Sequence, residues 1–257
     1  MGDQAKIIAV CGKGGVGKTS FSAMMVKLLS QAKDKKILAI DADPAVGLAT
    51  ALGIPVRKTV DDIRKGIINQ IQKGLSKAGP DMSAQLDYEV FESLEHQDGI
   101  SLLAIGRPED EGCFCKVNNL LKDIIRDLAD KFDIVVIDGE AGVEQINRRV
   151  MKKVDHLVLV SDTSAKAVNV TAAIAHVASD NRAVDFSSIG LVINRVRNVG
   201  EVEDITERTD LDIYGWMAED DLIRDMDFRG QPLTTMPESS ATLAAISSII
   251  ERMNIDH

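Results

Sequence analysis

Residues 6–11, Lys6-Ile7-Ile8-Ala9-Val10-Cys11, run straight into Gly12-Lys13-Gly14-Gly15-Val16-Gly17-Lys18-Thr19-Ser20, and helical spacing takes over from about Thr19 to Ala32. This succession constrains the fold more than any other feature of the chain. A short run that is apolar at nearly every position needs cover on both faces, which a half-wet antiparallel sheet does not give it. Similar runs recur at residues 37–41, 101–105, 133–138, 156–160 and 189–194, with a weaker one at 212–216. Helix-period segments separate them. Such alternation predicts a single doubly wound α/β domain over residues 1–257, with a mostly parallel sheet and helices on both faces. Residues 56–99 break the rhythm, being polar and helical in pattern with a soft spot at Lys77-Ala78-Gly79-Pro80-Asp81. They are expected to form a helical insertion at the ligand edge of the sheet rather than a second domain.

Charge and composition narrow the partners. The 30 Lys and Arg against 40 Asp and Glu leave a formal charge of −10, whereas a face that grips duplex DNA needs an excess of cations. Aromatic residues make up only 4%, too few for a base-stacking platform. No apolar stretch approaches the roughly 20 residues of a membrane span, and the residues after Met1 lack the pattern of a secretory signal. Three cysteines, Cys11, Cys113 and Cys115, are too few for a disulfide framework. The expectation is a cytoplasmic protein that uses neither nucleic acid nor membrane as its main partner.

From Gly12 to Thr19 the chain matches G-x-x-x-x-G-K-[ST] at every fixed position, after a strand and before a helix. That is the pattern of a P-loop. Glycines let backbone N–H groups curl round phosphates, and the helix N-terminus adds its positive dipole end. Lys18 is expected to neutralise the β- and γ-phosphates, and the Thr19 hydroxyl to hold Mg²⁺. Asp41-Ala42-Asp43-Pro44 and Asp138-Gly139-Glu140-Ala141-Gly142 each close an apolar run, where a carboxylate either serves the ligand or caps the next segment. Asn194-Arg195-Val196-Arg197 lacks the Lys and Asp of a guanine-reading N-K-x-D, which favours ATP over GTP.

The second lysine, Lys13, makes the loop resemble the deviant Walker A loop of the MinD, ParA and nitrogenase Fe-protein (SIMIBI) ATPases. The resemblance implies a nucleotide-sandwich homodimer in which Lys13 reaches the phosphates held by the other subunit. It implies further that Asp43 orients the attacking water, that Asp41 lies near the metal's hydration shell, and that Asp138 holds Mg²⁺ through water. Residues Gly139 to Gly142 would then respond to the γ-phosphate, and Asn194 would hydrogen-bond adenine.

Cys113-Phe114-Cys115 lies in a polar, Gly-containing segment just ahead of a helix expected at residues 117–131. Two readings stand side by side: two small apolar residues at a helix start, or thiolates favoured by a helix N-terminus. One C-x-C offers two thiolates, and two copies across a two-fold axis offer the four that a closed tetrahedral site takes. Ni²⁺ and Zn²⁺ both suit such a site. Together with the P-loop and the two Asp-containing clusters, the C-x-C resembles the CooC/AcsF-type ATPases that insert nickel into CO dehydrogenase and acetyl-CoA synthase. The resemblance implies ATP/ADP, Mg²⁺ and Ni²⁺ (or Zn²⁺) as ligands, a homodimer, and one of those enzymes as client. Two alternatives remain: an iron–sulfur reductase like nitrogenase Fe protein, and a positioning ATPase of the MinD/ParA type. Cys11 is expected in the core, the scattered His96, His156, His176 and His257 in structural or solvated roles, and residues 241–253 as an amphipathic helix packed on the sheet.

Overall fold

The computed structural model describes residues 5–32, 34–74, 80–107, 115–140, 142, 146, 150–180 and 184–255. Among them the strands are β1 (Lys6–Cys11), β2 (Ile37–Asp41), β3 (Glu95–Gln97), β4 (Ile100–Ala104), β5 (Ile134–Asp138), β6 (Lys153–Asp162), β7 (Asp185–Val196) and β8 (Ile213–Ala218). They form one sheet in the order β3-β4-β2-β5-β1-β6-β7-β8. Every pairing is parallel except that of β3 with β4.

The helices are α1 (Lys18–Leu29), α2 (Gly47–Leu52), α3 (Val60–Gln72), α4 (Pro80–Glu92), α5 (Cys115–Ala129), α6 (Ala165–Asp180), α7 (Val199–Thr206), α8 (Asp221–Phe228) and α9 (Ala241–Met253). They divide between two apolar clusters, one on each face. Ile63, Leu86, Ile125 and Ile174 pack with Ala9, Leu38, Val135 and Leu157 on one side. Phe21, Leu52, Ile246 and Ile249 pack with Ile8, Ala39, Val136 and Val158 on the other. Successive strand residues point to opposite faces, so both sets are buried and the strands read as unbroken apolar runs. This is the doubly wound, mostly parallel P-loop domain expected from the sequence.

Residues 56–99 hold α3, α4 and the short edge strand β3. Helix α3 starts at a capping box in which Thr59 and Asp62 satisfy each other's backbone N–H groups. Its apolar side, with that of α4, joins α5 in covering the sheet. The stretch therefore contributes a layer of the main core. Helix α9 buries Leu243, Ile246, Ile249 and Met253 against β8 and α1.

Candidate nucleotide site

The chain order turns around β1, which lies between β5 on one side and β6 on the other. In open α/β sheets a ligand crevice forms at such a switch point, beyond the carboxyl ends of the strands. There Val10 and Asp41 both register with Asp138, so the ends of β1, β5 and β2 lie side by side.

Two glycines shape the loop that leaves β1. Gly12 sits at φ +150°, and a Cβ there would lie 2.1 Å from the Val160 carbonyl oxygen. Gly17, at φ +95°, is the N-cap of α1, where a Cβ would lie 2.2 Å from Asn194 Nδ2. Only residues without a Cβ fit both the angle and the space. The loop thus rests against β6 and β7, and Asn194 fixes it by donating to the Val16 carbonyl at 2.8 Å. No side chain caps α1 and its first turn holds no acidic residue, so the helix N-terminus keeps donors for an anion. Lys18 is buried, and its ammonium donates to the Lys13 carbonyl at 3.2 Å, at the mouth of the loop. The adjoining Gly14 and Gly15 are exposed, Val16 is buried, and Lys13, Thr19 and Ser20 are half-buried.

Asp138 is wholly buried and receives two hydroxyls: Thr19 Oγ1 donates to Oδ2 at 2.7 Å and Ser22 Oγ to Oδ1 at 2.9 Å. Burial pushes its carboxyl up to about 6, although Thr19, Ser22 and the Lys18 charge pull the other way. Burial and then the Asp138 charge raise Asp41 to about 7, against three backbone donors. Those donors are the N–H groups of Leu48 (2.8 Å), Ala49 (3.2 Å) and Asp43 (3.3 Å). Asp41 therefore anchors the turn that carries Asp43 into α2, which is the capping role open to it from the sequence. Asp43 stays at the surface of that turn, accepting from Ala45 N–H at 2.8 Å. Gly139 N–H donates to Val10 at 2.9 Å, which ties the start of the Asp138–Gly142 segment to the end of β1.

Two neighbouring buried carboxylates and the uncapped N-terminus of α1 suit a divalent cation beside a polyphosphate, because each supplies the charge the other lacks. Ser22 is the contact that sequence reading missed. Its signal is its position three residues after Thr19, on the same face of α1. Asn194, the side chain expected to hydrogen-bond adenine, also braces the loop through the Val16 carbonyl. Cys113 lies outside the described residues, and Cys115 opens α5 with only its backbone described. Among the described residues no group of three or more His, Cys, Asp or Glu gathers as a metal site. His96 and His156 face registered serines across the sheet, Ser101 at 2.9 Å and Ser188 at 2.8 Å, and so tie strands together.

The family model described as the CobQ/CobB/MinD/ParA nucleotide-binding domain matches residues 7–233. The chain belongs to this family. Among relatives of the CobQ/CobB/MinD/ParA domain, an ATP-binding protein of Methanocaldococcus jannaschii is 36% identical over 96% of this chain and 98% of its own length. The carbon monoxide dehydrogenase accessory protein CooC of Rhodospirillum rubrum is 30% identical over 87% of each chain. The MinD of the Aquifex aeolicus MinC:MinD complex superposes with a TM-score of 0.70 at 21% identity, over 97% of this chain and 96% of its own. MinD of Pyrococcus horikoshii, solved with Mg-ADP, gives 0.68 at 19% identity over 97% and 96%. The family, the P-loop and the paired Thr19 and Asp138 make the chain a P-loop ATPase of the MinD/ParA superfamily. No helix among the described residues is long and apolar enough to cross a membrane.

Proposed function

We propose that the chain is an ATP-driven dimerising switch that delivers a metal ion, nickel in the first instance, to a metalloenzyme of the CO dehydrogenase/acetyl-CoA synthase class. The observation that carries this reading is the place of the C-x-C in the chain. In the sequence Cys113 comes two residues before α5 and Cys115 opens it, in the stretch after β4, which ends at the same carboxyl edge as the P-loop, with Ile105 N–H donating to the Asp41 carbonyl at 2.9 Å. The 30% identity to an accessory protein of carbon monoxide dehydrogenase supports the client class.

Thr19 and Asp138 would hold Mg²⁺, and the loop N–H groups and Lys18 the phosphates. When bound, the cation offsets the charge on the phosphate oxygens and fixes their orientation. Asp43 accepts a hydrogen bond from the attacking water, which adds to the γ-phosphorus as the bond to ADP breaks and phosphate leaves. Lys13, carried across a two-fold axis, supplies the cation that an arginine finger supplies elsewhere. Two copies of Cys113 and Cys115 then share one cargo ion. Metal analysis and mass measurement of wild type and a Cys113→Ala/Cys115→Ala double variant test this. One Ni²⁺ per dimer, absent from the variant, is expected; equal metal content in both overturns the metal reading and leaves the ATPase intact.

A second reading, a positioning ATPase, is favoured by likeness to the septum site-determining protein MinD of Bacillus subtilis, 24% identical over 93% of this chain. ATP-dependent pelleting with liposomes, at unchanged metal content, would select it. A broad iron–sulfur absorption band in anaerobically purified protein would select a reductase instead.

A further inference from the structure

At the amino-terminal edge of the sheet, away from the phosphate loop, a cavity of about 340 Å³ opens between the residues leading into β2, the β3–β4 turn and the end of α5. Lys35, Lys36, Lys131, His96, Phe91 and Phe132 are among its lining residues, and among the described residues no carboxylate lines it. Of the acids close to these lysines in the sequence, Asp34, Asp130 and Asp133, the last accepts from the Lys36 backbone N–H at 2.7 Å. Among the described residues the three ammonium groups have no ion-pair partner. In a chain with a charge of −10, three lysines grouped on walls that include Phe91, Leu94, Leu128 and Phe132 run against the overall balance.

Next to it stands an apolar stripe. On α4, Ala84, Tyr88 and Phe91 recur at helical spacing and are all exposed, Tyr88 at 65% and Phe91 at 53%. The opposite side of the helix, with Met82, Leu86 and Val90, already fills the core. The whole sequence has nine Phe, Tyr and Trp residues (6 Phe, 2 Tyr and 1 Trp), so two of them adjacent in water on one helix is a costly placement. Aromatic anchors beside cations are the make-up of a protein-binding surface. Asp87 and Glu92 flank the stripe on the same helix and set its outer rim.

We propose that α4 and this basic cavity form a docking surface for a partner protein's acidic segment that also carries apolar side chains. Its carboxylates meet Lys35, Lys36 and Lys131, and its apolar residues cover Tyr88 and Phe91. The surface lies outside the nucleotide site, so docking and ATP binding take place together. This inference does not depend on the metal reading.

The test uses the full-length protein and a labelled synthetic peptide of glutamates interspersed with leucines, followed by fluorescence anisotropy. Binding is expected that weakens with added salt. Roughly tenfold loss is expected for Lys35→Glu/Lys131→Glu and again for Phe91→Ala, each with wild-type ATPase rate and melting temperature. Lys131 and Phe91 are exposed and Lys35 is half-buried, so the unchanged melting temperature is what makes a loss of binding a reading of the surface itself. Three results overturn the proposal: equal binding by wild type and variants, self-association of the chain through this face, or a preference for anionic phosphatidylserine vesicles over the peptide.

Discussion

The two edges of the sheet are built from the same strands and differ in what they tolerate. At the carboxyl edge, Asp41 and Asp138 are buried as neighbours with raised pKa values, and glycines sit where a Cβ would strike fixed backbone or Asn194. At the amino edge polar groups meet in register, the exposed His96 with buried Ser101 and the buried His156 with Ser188, and Gly99 has open space around it. A fold keeps charge repulsion and close backbone contact only where a ligand relieves them. The difference marks the carboxyl edge as the working end.

That contrast can be broken in order of effect. Lys18→Ala should lower the ATPase rate by about 10²–10³-fold, the usual loss for one preorganised charge on a reacting group, measured by phosphate release. A drop of less than tenfold would detach the loop from the chemistry. Gly12→Ala should cost about 4 kcal/mol or more in urea unfolding, because the Val160 carbonyl cannot step aside. Gly99→Ala, also at positive φ but with nothing near, should cost only about 1 kcal/mol.

The acid pair gives a pH test. Asp41 and Asp138 both titrate above their ordinary 3.8, near 7 and near 6, so the folded protein holds protons more tightly than the unfolded chain. Their contribution is complete below about pH 4 and is lost as pH rises through 6 and then 7. Without Mg²⁺, wild type should lose stability between about pH 4 and pH 7, and Asp138→Asn should lose less, by on the order of 1–3 kcal/mol. A matching decline in both would clear Asp138 of the repulsion. The smallest effect belongs to the amino edge. Tyr214→Phe removes a hydrogen bond of 2.9 Å to Ser188 and should cost about 1 kcal/mol with no change in ATPase rate.

Much of this was legible in the sequence, for physical reasons. The apolar runs marked β1, β2, β4, β5, β6 and β7 because strands covered on both faces leave no polar alternation to confuse the pattern. Strand β3 escaped because it is three residues long and shows two of them, His96 and Gln97, to solvent. The polar look of residues 56–99 marked the helical insertion but hid that its Ile63, Ile67, Leu86 and Val90 supply core at helical spacing. At the site, Thr19 and Asp138 were readable from motif spacing. Their third partner Ser22, the grip of Asn194 on Val16 and the anchoring of Asp41 were not, since each depends on a contact between distant segments.

The central claim is that ATP completes a pair of subunits through Lys13. Light-scattering mass on a sizing column, with Mg²⁺ and a saturating non-hydrolysable ATP analogue, tests it most directly. Wild type is expected to run as a dimer and Lys13→Ala as a monomer that still binds the analogue. A wild-type protein that stays monomeric at saturation would contradict it.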